Sequence, residues 1–304
     1  NPTPEERKNN RAELIRRVRR IWITGYLDQS LYQEVLLYLG MKWNPADPPP
    51  NPFGMAALRI DGKATAHQPA DIALTVGAPL AAFYANVDHR LLILGAPGAG
   101  KTTVMLDLAK SYLDKAEQDL SIPVPVVFTL SSWPGPATPF EDWLVSEIRT
   151  RYGGDIREDV ARYWLAHNEI ALFLDGLDEL PAERRAAAIA AIETPQTVGS
   201  WFIVCSRATE YTDLGAKKAA FTNLDAVNIQ PLKLYQIQGY LGELRSEQAA
   251  RLSAAITADT TLQEVADTPL MLNVMLLASE VIDWTPLTGG EIGVLRSQIY
   301  DAYT

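Results

Sequence analysis

Eight consecutive residues, Gly95-Ala96-Pro97-Gly98-Ala99-Gly100-Lys101-Thr102, carry the types and spacing of a phosphate-binding loop, G-x-x-x-x-G-K-[ST]. In such a loop the backbone N–H groups wrap the phosphates of a nucleotide, and residues without a Cβ let the chain take positive φ and approach the anion. Gly98 and Gly100 meet that need. Lys101 is placed to reach the β- and γ-phosphates and Thr102 to hold Mg²⁺ through its hydroxyl, with Thr103 completing the binding set at the positive end of a helix.

A second cluster ends the run Ile170-Ala171-Leu172-Phe173-Leu174-Asp175-Gly176-Leu177-Asp178-Glu179. An apolar strand that stops on an acid puts a carboxylate at the carboxyl edge of a sheet, where open α/β folds bind ligands. Asp175 is expected to bind Mg²⁺ directly or through water, and Asp178 or Glu179 to orient the attacking water as a general base. Alone, acids after a strand could simply cap the helix that begins near Pro181. A third apolar run, Phe202 to Cys205, leads to Ser206-Arg207, and a guanidinium at that edge can sense a γ-phosphate through a forked contact, or form an ordinary surface ion pair.

These residues need a scaffold of alternating strands and helices. Continuous apolar runs at Leu91–Leu94, Val124–Leu130, Ile170–Leu174 and Phe202–Cys205 predict strands buried on both faces, and the segments between them repeat at helical spacing. The expectation is an α/β fold, a parallel sheet of about five strands flanked by helices over residues 80–231. Phe140, Trp143, Leu144 and Ile148, then Val160, Tyr163 and Trp164, read as core faces of two of these helices. Beyond Pro231 helices alone are expected, so that 232–304 forms a helical lid, ending in segments at Leu270–Ile282 and Glu291–Tyr303. Before the core, residues 1–43 read as a helical segment that Gly25 breaks in two. Residues 44–79 read as a linker and lead-in, with five prolines between Asn44 and Pro52 and a possible strand at Ala56–Ile60.

Composition narrows the chemistry. The 304 residues are 47% hydrophobic and 21% charged, enough for a sizeable core, and the net charge of −10 opposes general affinity for nucleic acid or anionic membrane. Residues 1–20 depart from this, with seven Lys/Arg and three Glu for a net of +4, so that the remainder carries −14. The basic helix is read as a charged face on a packed helix, with a partner-docking role left open. One cysteine, Cys205, permits no internal disulfide and suits a reducing, cytoplasmic setting, where it reads as a small buried hydrophobe. The three histidines, His67, His89 and His167, have no metal-ligand spacing.

The set GAPGAGKTT, LFLDGLDEL, IVCSR and TPLML resembles the NACHT family of signal-transduction ATPases, STAND-class relatives of the AAA+ proteins that include bacterial NLR-like proteins. Gly176 directly after the metal-binding acid, and the acid pair three and four residues beyond it, carry much of the likeness, which spans about residues 80–304. The resemblance implies ATP or ADP held between core and helical unit with Mg²⁺, and Pro269 approaching the adenine. It further implies slow hydrolysis, homo-oligomerisation when ATP is bound, and a role in bacterial defence or conflict signalling. Effector and sensor regions, and a winged-helix domain expected after Thr304, would lie outside this chain. The competing expectation is a steady-turnover enzyme, either an AAA+ motor or a small-molecule kinase, and a third is a scaffold that keeps nucleotide as a structural cofactor. The absence of N-K-x-D favours adenine over guanine.

Overall fold

The computed structural model describes residues 3–28, 55–60, 70–74, 78–194, 201–216, 220–222, 224–279 and 284. A seven-stranded sheet runs through it, built from β1 (Met55–Ile60), β2 (Ala70–Leu74), β3 (Arg90–Gly95), β4 (Val124–Thr129), β5 (Ile170–Asp175), β6 (Phe202–Ser206) and β7 (Leu224–Ile229) in the order β2-β1-β7-β3-β6-β5-β4. The five strands β7-β3-β6-β5-β4 are mutually parallel. This is the expected P-loop α/β sheet, and β3, the strand that feeds the phosphate loop, lies between β7 and β6, fourth of the seven strands.

The sequence expectation differs from the structure at one of the five. No strand was expected at Leu224–Ile229, because Asp225 and Asn228 interrupt its apolar residues. Those two are half-buried while their four neighbours in the strand are buried, and β7 pairs on both sides, parallel to β3 and antiparallel to β1. The possible strand at Ala56–Ile60 is β1, and with β2 it extends the parallel sheet by an antiparallel pair. The proline-rich run 44–52 lies outside the described residues.

Helices cover the sheet. After α2 (Ala78–Asn86), the long α3 (Lys101–Gln118) follows the phosphate loop and buries Val104, Met105, Leu108, Ala109 and Tyr112. Helix α4 (Phe140–Tyr152) buries Phe140, Trp143, Leu144 and Ile148, and α5 (Glu158–Ala166) buries Val160 and Trp164, as their spacing predicts. Next come α6 (Ala182–Ile192) and α7 (Ala208–Ala216).

The N-terminal segment belongs to this same core. Helix α1 (Pro4–Val18) starts in a capping box, in which the Thr3 hydroxyl accepts from the Glu6 N–H and the Glu6 carboxylate accepts from the Thr3 N–H. The expected break at Gly25 is absent. The helix continues as a wider, five-residue-spaced turn over Arg19–Leu27, in which the Asp28 N–H donates to the Ile23 carbonyl at 2.7 Å. Gly25 sits inside that stretch, where a Cβ would stand 3.0 Å from the Arg20 carbonyl oxygen. The second helix expected over 31–39 lies outside the described residues.

Several arginines of this segment are spent on the fold. Arg17 pairs with Glu13 and Asp155, Arg19 with Asp114 and Glu117, and Arg7 donates to the Tyr163 hydroxyl. Arg11 is buried, its guanidinium bonded to the carbonyls of Ala116, Asp119 and Ile122 at the end of α3.

Helices α8 (Leu234–Glu243), α9 (Glu247–Ala258), α10 (Thr260–Val265) and α11 (Pro269–Ala278) pack around a second, separate core that includes Ile237, Leu252, Leu272, Met275 and Trp284. The helix expected over 291–303 lies outside the described residues.

Candidate functional site

Strand β3 is buried from Leu91 to Gly95 and delivers the chain into the loop. Gly98 and Gly100 take φ of +74° and +92°. Ala96 and Pro97 are exposed, while Ala99 and Thr103 are buried against the core. The Ala99 N–H donates to the Ala96 carbonyl at 3.2 Å, which closes the turn. The Lys101 ammonium lies over the loop and donates to the carbonyls of Gly95 and Ala96, both at 3.1 Å.

The two motifs meet at the first turn of α3. The Thr102 hydroxyl donates to Asp175 Oδ2 at 2.8 Å, across 73 residues of sequence. Burial pushes the Asp175 carboxyl above its ordinary range; the bond from Thr102 and the Lys101 ammonium oppose that shift, while the charges of Glu179 and Asp178 add to it. A hydroxyl and a carboxylate converging in this way form a hard-oxygen donor pair suited to Mg²⁺. Among the described residues no group of three His, Cys, Asp or Glu side chains forms a metal site of its own. A cation here would therefore need phosphate and water oxygens to complete its shell, the usual habit of Mg²⁺.

The two acids beyond Asp175 occupy different positions. Asp178 turns back to the tip of β6, where its carboxylate accepts the Arg207 backbone N–H at 3.1 Å and pairs with Arg207 Nε at 2.9 Å. Its side chain is 7% exposed and that of Arg207 is 44% exposed, so the acid is the buried member of the pair and the guanidinium the exposed one. Arg207 also reaches Glu210 at 3.5 Å. Glu179 is exposed, and its carboxylate folds over Gly176, where a Cβ would lie 2.8 Å from Glu179 Cδ. Gly176 has φ +78°, a conformation that a residue with a Cβ rarely takes. Arg185 of α6 secures this turn by donating to the carbonyls of Asp178 and Leu180, at 2.7 and 2.9 Å. Nothing in the spacing of Arg185 distinguishes it from any exposed helical arginine, and sequence reasoning passed over it.

Pro269 is buried in the first turn of α11, after Thr268, whose hydroxyl caps the helix by accepting the Met271 N–H at 3.3 Å. The next residue, Leu270, touches the phosphate loop itself, its N–H donating to the Gly98 carbonyl at 3.4 Å. Leu270 is another contact that sequence reasoning missed, since an apolar residue in an apolar helix carries no signal of what it faces. Cys205 is fully buried beneath the loop, with Sγ 3.8 Å from the Lys101 carbonyl and 3.7 Å from Met105 Sδ, and burial pushes its thiol up. It is a core residue, as expected.

Fold and site together define a P-loop nucleoside-triphosphatase architecture. No protein-family model matches the chain, and no curated protein matches it. Among solved structures it is similar to the Aeropyrum pernix ORC2 protein, in ADPNP–ADP complexes, at 14% identity and TM-score 0.44 over 73% of this chain and 66% of that one. It is also similar to Cdc6p from Pyrobaculum aerophilum, at 15% identity and TM-score 0.43 over 73% and 66%. A third similarity, to C. elegans PCH-2, has 14% identity and TM-score 0.33 over 74% and 66%. The chain thus spans just under two thirds of the length of each. No helix among the described residues is long and apolar enough to cross a membrane.

Proposed function

We propose that this chain is an ATP- and ADP-binding switch module of the NACHT type, hydrolysing ATP slowly with Mg²⁺ and associating with copies of itself when ATP is bound. The observation that carries the reading is the bond from Thr102 to Asp175, which joins the phosphate loop to the acid of the second motif. Mg²⁺, when bound there, would neutralise charge on the β- and γ-phosphates. The protein's own share is to cradle the phosphates in the loop amides, present Lys101 to them, and orient the attacking water through Glu179. Asp178 positions Arg207 to sense the γ-phosphate. Pro269 and Leu270 bring the helical unit to the loop. ATP and ADP can then favour different settings of core and lid, as a switch requires, because a ligand shifts an equilibrium only by its differential affinity. A role in bacterial defence signalling belongs to the NACHT resemblance and stands or falls with it.

The test is to purify the protein, denature it, identify the released nucleotide by chromatography and measure turnover with added ATP. Retained ADP and turnover well below one per second fit the switch, against about 10 per second for a median enzyme. Rapid multiple turnover, or phosphate transferred to a small molecule, overturns it in favour of a motor or a kinase. Lys101→Ala should abolish retention. Wild-type occupancy in that variant would mean the loop is not the site.

A further inference from the structure

The N-terminal helix runs antiparallel to the phosphate-loop helix, and contacts along its length fix that direction. Arg11 meets the end of α3 at Ala116, Asp119 and Ile122, Arg19 pairs with Asp114 and Glu117 at 2.9 and 3.1 Å, and Asp28 pairs with Lys110 at 3.3 Å. Each step toward the C-terminus of the segment is a step toward the phosphate loop.

A second set of contacts fixes this end of the segment against the sheet beside Asp175. Trp22 Nε1 donates to the Tyr152 hydroxyl at 2.8 Å, and that hydroxyl is bonded to both the N–H and the carbonyl of Val127 in β4. The Arg151 guanidinium lies 5.3 Å from the Trp22 ring centre and donates to Thr129 Oγ1 at 3.2 Å. Thr129 is the last residue of β4 and the direct register partner of Asp175. One turn beyond Trp22 stands Tyr26, its ring 6.0 Å from the indole. Tyr26 is 49% exposed, and its hydroxyl has no hydrogen-bond partner among the described residues.

The surroundings give that hydroxyl a chemistry. Burial raises the Tyr26 pKa, and the charges of Asp175 and Glu179 raise it further, so the phenol keeps its proton and is a neutral donor. The two arginines nearest this edge both have carboxylate partners, whereas the Tyr26 hydroxyl has none among the described residues. Arg151 is held by Thr129 and Glu147, Arg207 by Asp178 and Glu210. Trp22 and Tyr26 both lie in the widened turn over Arg19–Leu27.

We propose that Tyr26 is part of the nucleotide site, its phenol O–H donating to the terminal phosphate of a bound nucleoside triphosphate on the β4 side of Asp175. The N-terminal helix thereby reads triphosphate against diphosphate. The inference rests on the nucleotide-binding function proposed above and adds to it a second reader of the third phosphate, from the N-terminal segment, beside Arg207.

The experiment titrates the full chain with a fluorescent non-hydrolysable ATP analogue and with the matching ADP, for the wild type, Tyr26→Phe and Lys101→Ala. Tyr26→Phe keeps the ring beside Trp22 and removes only the donor. It should weaken the triphosphate analogue about tenfold, the loss of one hydrogen bond to a charged group, while ADP affinity stays within about twofold. The ratio of the two affinities is read rather than either alone, so a general loss of folded protein does not imitate the effect. An unchanged ratio in Tyr26→Phe, with the wild type binding both nucleotides and Lys101→Ala binding neither, overturns the role of Tyr26 and leaves the nucleotide site intact. A wild type that binds neither nucleotide overturns both.

Discussion

Leu270 seals Gly98: its N–H donates to the Gly98 carbonyl at 3.4 Å, and a Cβ on residue 98 would stand 2.9 Å from Leu270 Cβ. The phosphate loop and the first turn of the helical unit thus share one steric boundary. Gly98→Ala meets two penalties, a positive φ costing about 1–2 kcal/mol and the collision with Leu270. Leu270→Ala removes Cδ2, which a Cβ on residue 98 would meet at 3.2 Å, but keeps the Cβ contact and leaves the strain in place. Thermal melts of both single variants and the double should therefore be non-additive, with a coupling of about 1 kcal/mol in favour of the double. Strict additivity would show that loop and lid do not press on one another.

Asp175 carries a conflict between stability and function. Its folded pKa lies above the unfolded value, so folded protein binds more protons than unfolded protein between the two values, and stability falls as pH rises through that window. At neutral pH the ionised acid is therefore a net cost, which Asp175→Asn removes while keeping an oxygen for the Thr102 hydroxyl. The variant should melt higher than wild type at pH 7, by about 2–4 °C for each kcal/mol relieved, and the gap should close as pH is lowered into the acid range. Mg²⁺-dependent hydrolysis should be lost. A variant that melts lower at pH 7 would mean that Asp175 serves the fold rather than the site.

The motifs were legible because each needs particular atoms a fixed number of bonds apart. Gly95 to Thr102 must wrap an anion within one turn, and Asp175 must end a strand, so both are visible in a short window of sequence. Pairings between windows were not legible. Asp178 and Arg207 were each assigned to the nucleotide, but 29 residues of chain hide the fact that they hold each other. Strand β7 was missed because pairing on both edges, rather than an apolar run, keeps Asp225 and Asn228 in the sheet. Gly25 suggested a break because glycine is poor in helices, yet tertiary packing of Ile23 and Leu27 carries the helix through it. The basic face of α1 showed no sign that Arg11 points inward.

Arg11 ties the N-terminal helix to the phosphate-loop helix. Its guanidinium, 7% exposed as a residue, bonds to the Ala116, Asp119 and Ile122 carbonyls, at and just beyond the C-terminus of α3, where the helix presents partial negative charge. Burial lowers its pKa, with Glu169 and Asp119 opposing, and the group stays charged. Arg11→Met keeps the apolar stem and removes the donors, and should cost about 2–3 kcal/mol in chemical denaturation. Arg11→Lys should recover only part, because all three bonds come from Nη2 at the end of a planar guanidinium, a position that the ammonium on a flexible lysine stem does not reproduce. A change within about 0.5 kcal/mol for Arg11→Met, the range of an ordinary surface substitution, would show that the two helices do not depend on this contact.

Under the proposed function, a substitution at Gly176 should separate binding from hydrolysis. Its φ of +78° turns the chain just after Asp175, and the space its missing Cβ leaves is filled by Glu179, whose Cδ would be 2.8 Å from that atom. Gly176→Ala must therefore displace the Glu179 carboxylate, while Thr102, Lys101 and the loop amides lie outside the collision. Asp175 is the nearest residue at risk, since it precedes the turn, so nucleotide retention provides the control. The expected outcome is nucleotide binding within about threefold of wild type and single-turnover hydrolysis slowed by about 10²-fold, the lower range for general-base assistance. Glu179→Gln should show the same split, and combining the two should slow hydrolysis little further, because both remove one function. Multiplying effects in the double variant would place the base elsewhere, with Asp178 the next acid to test.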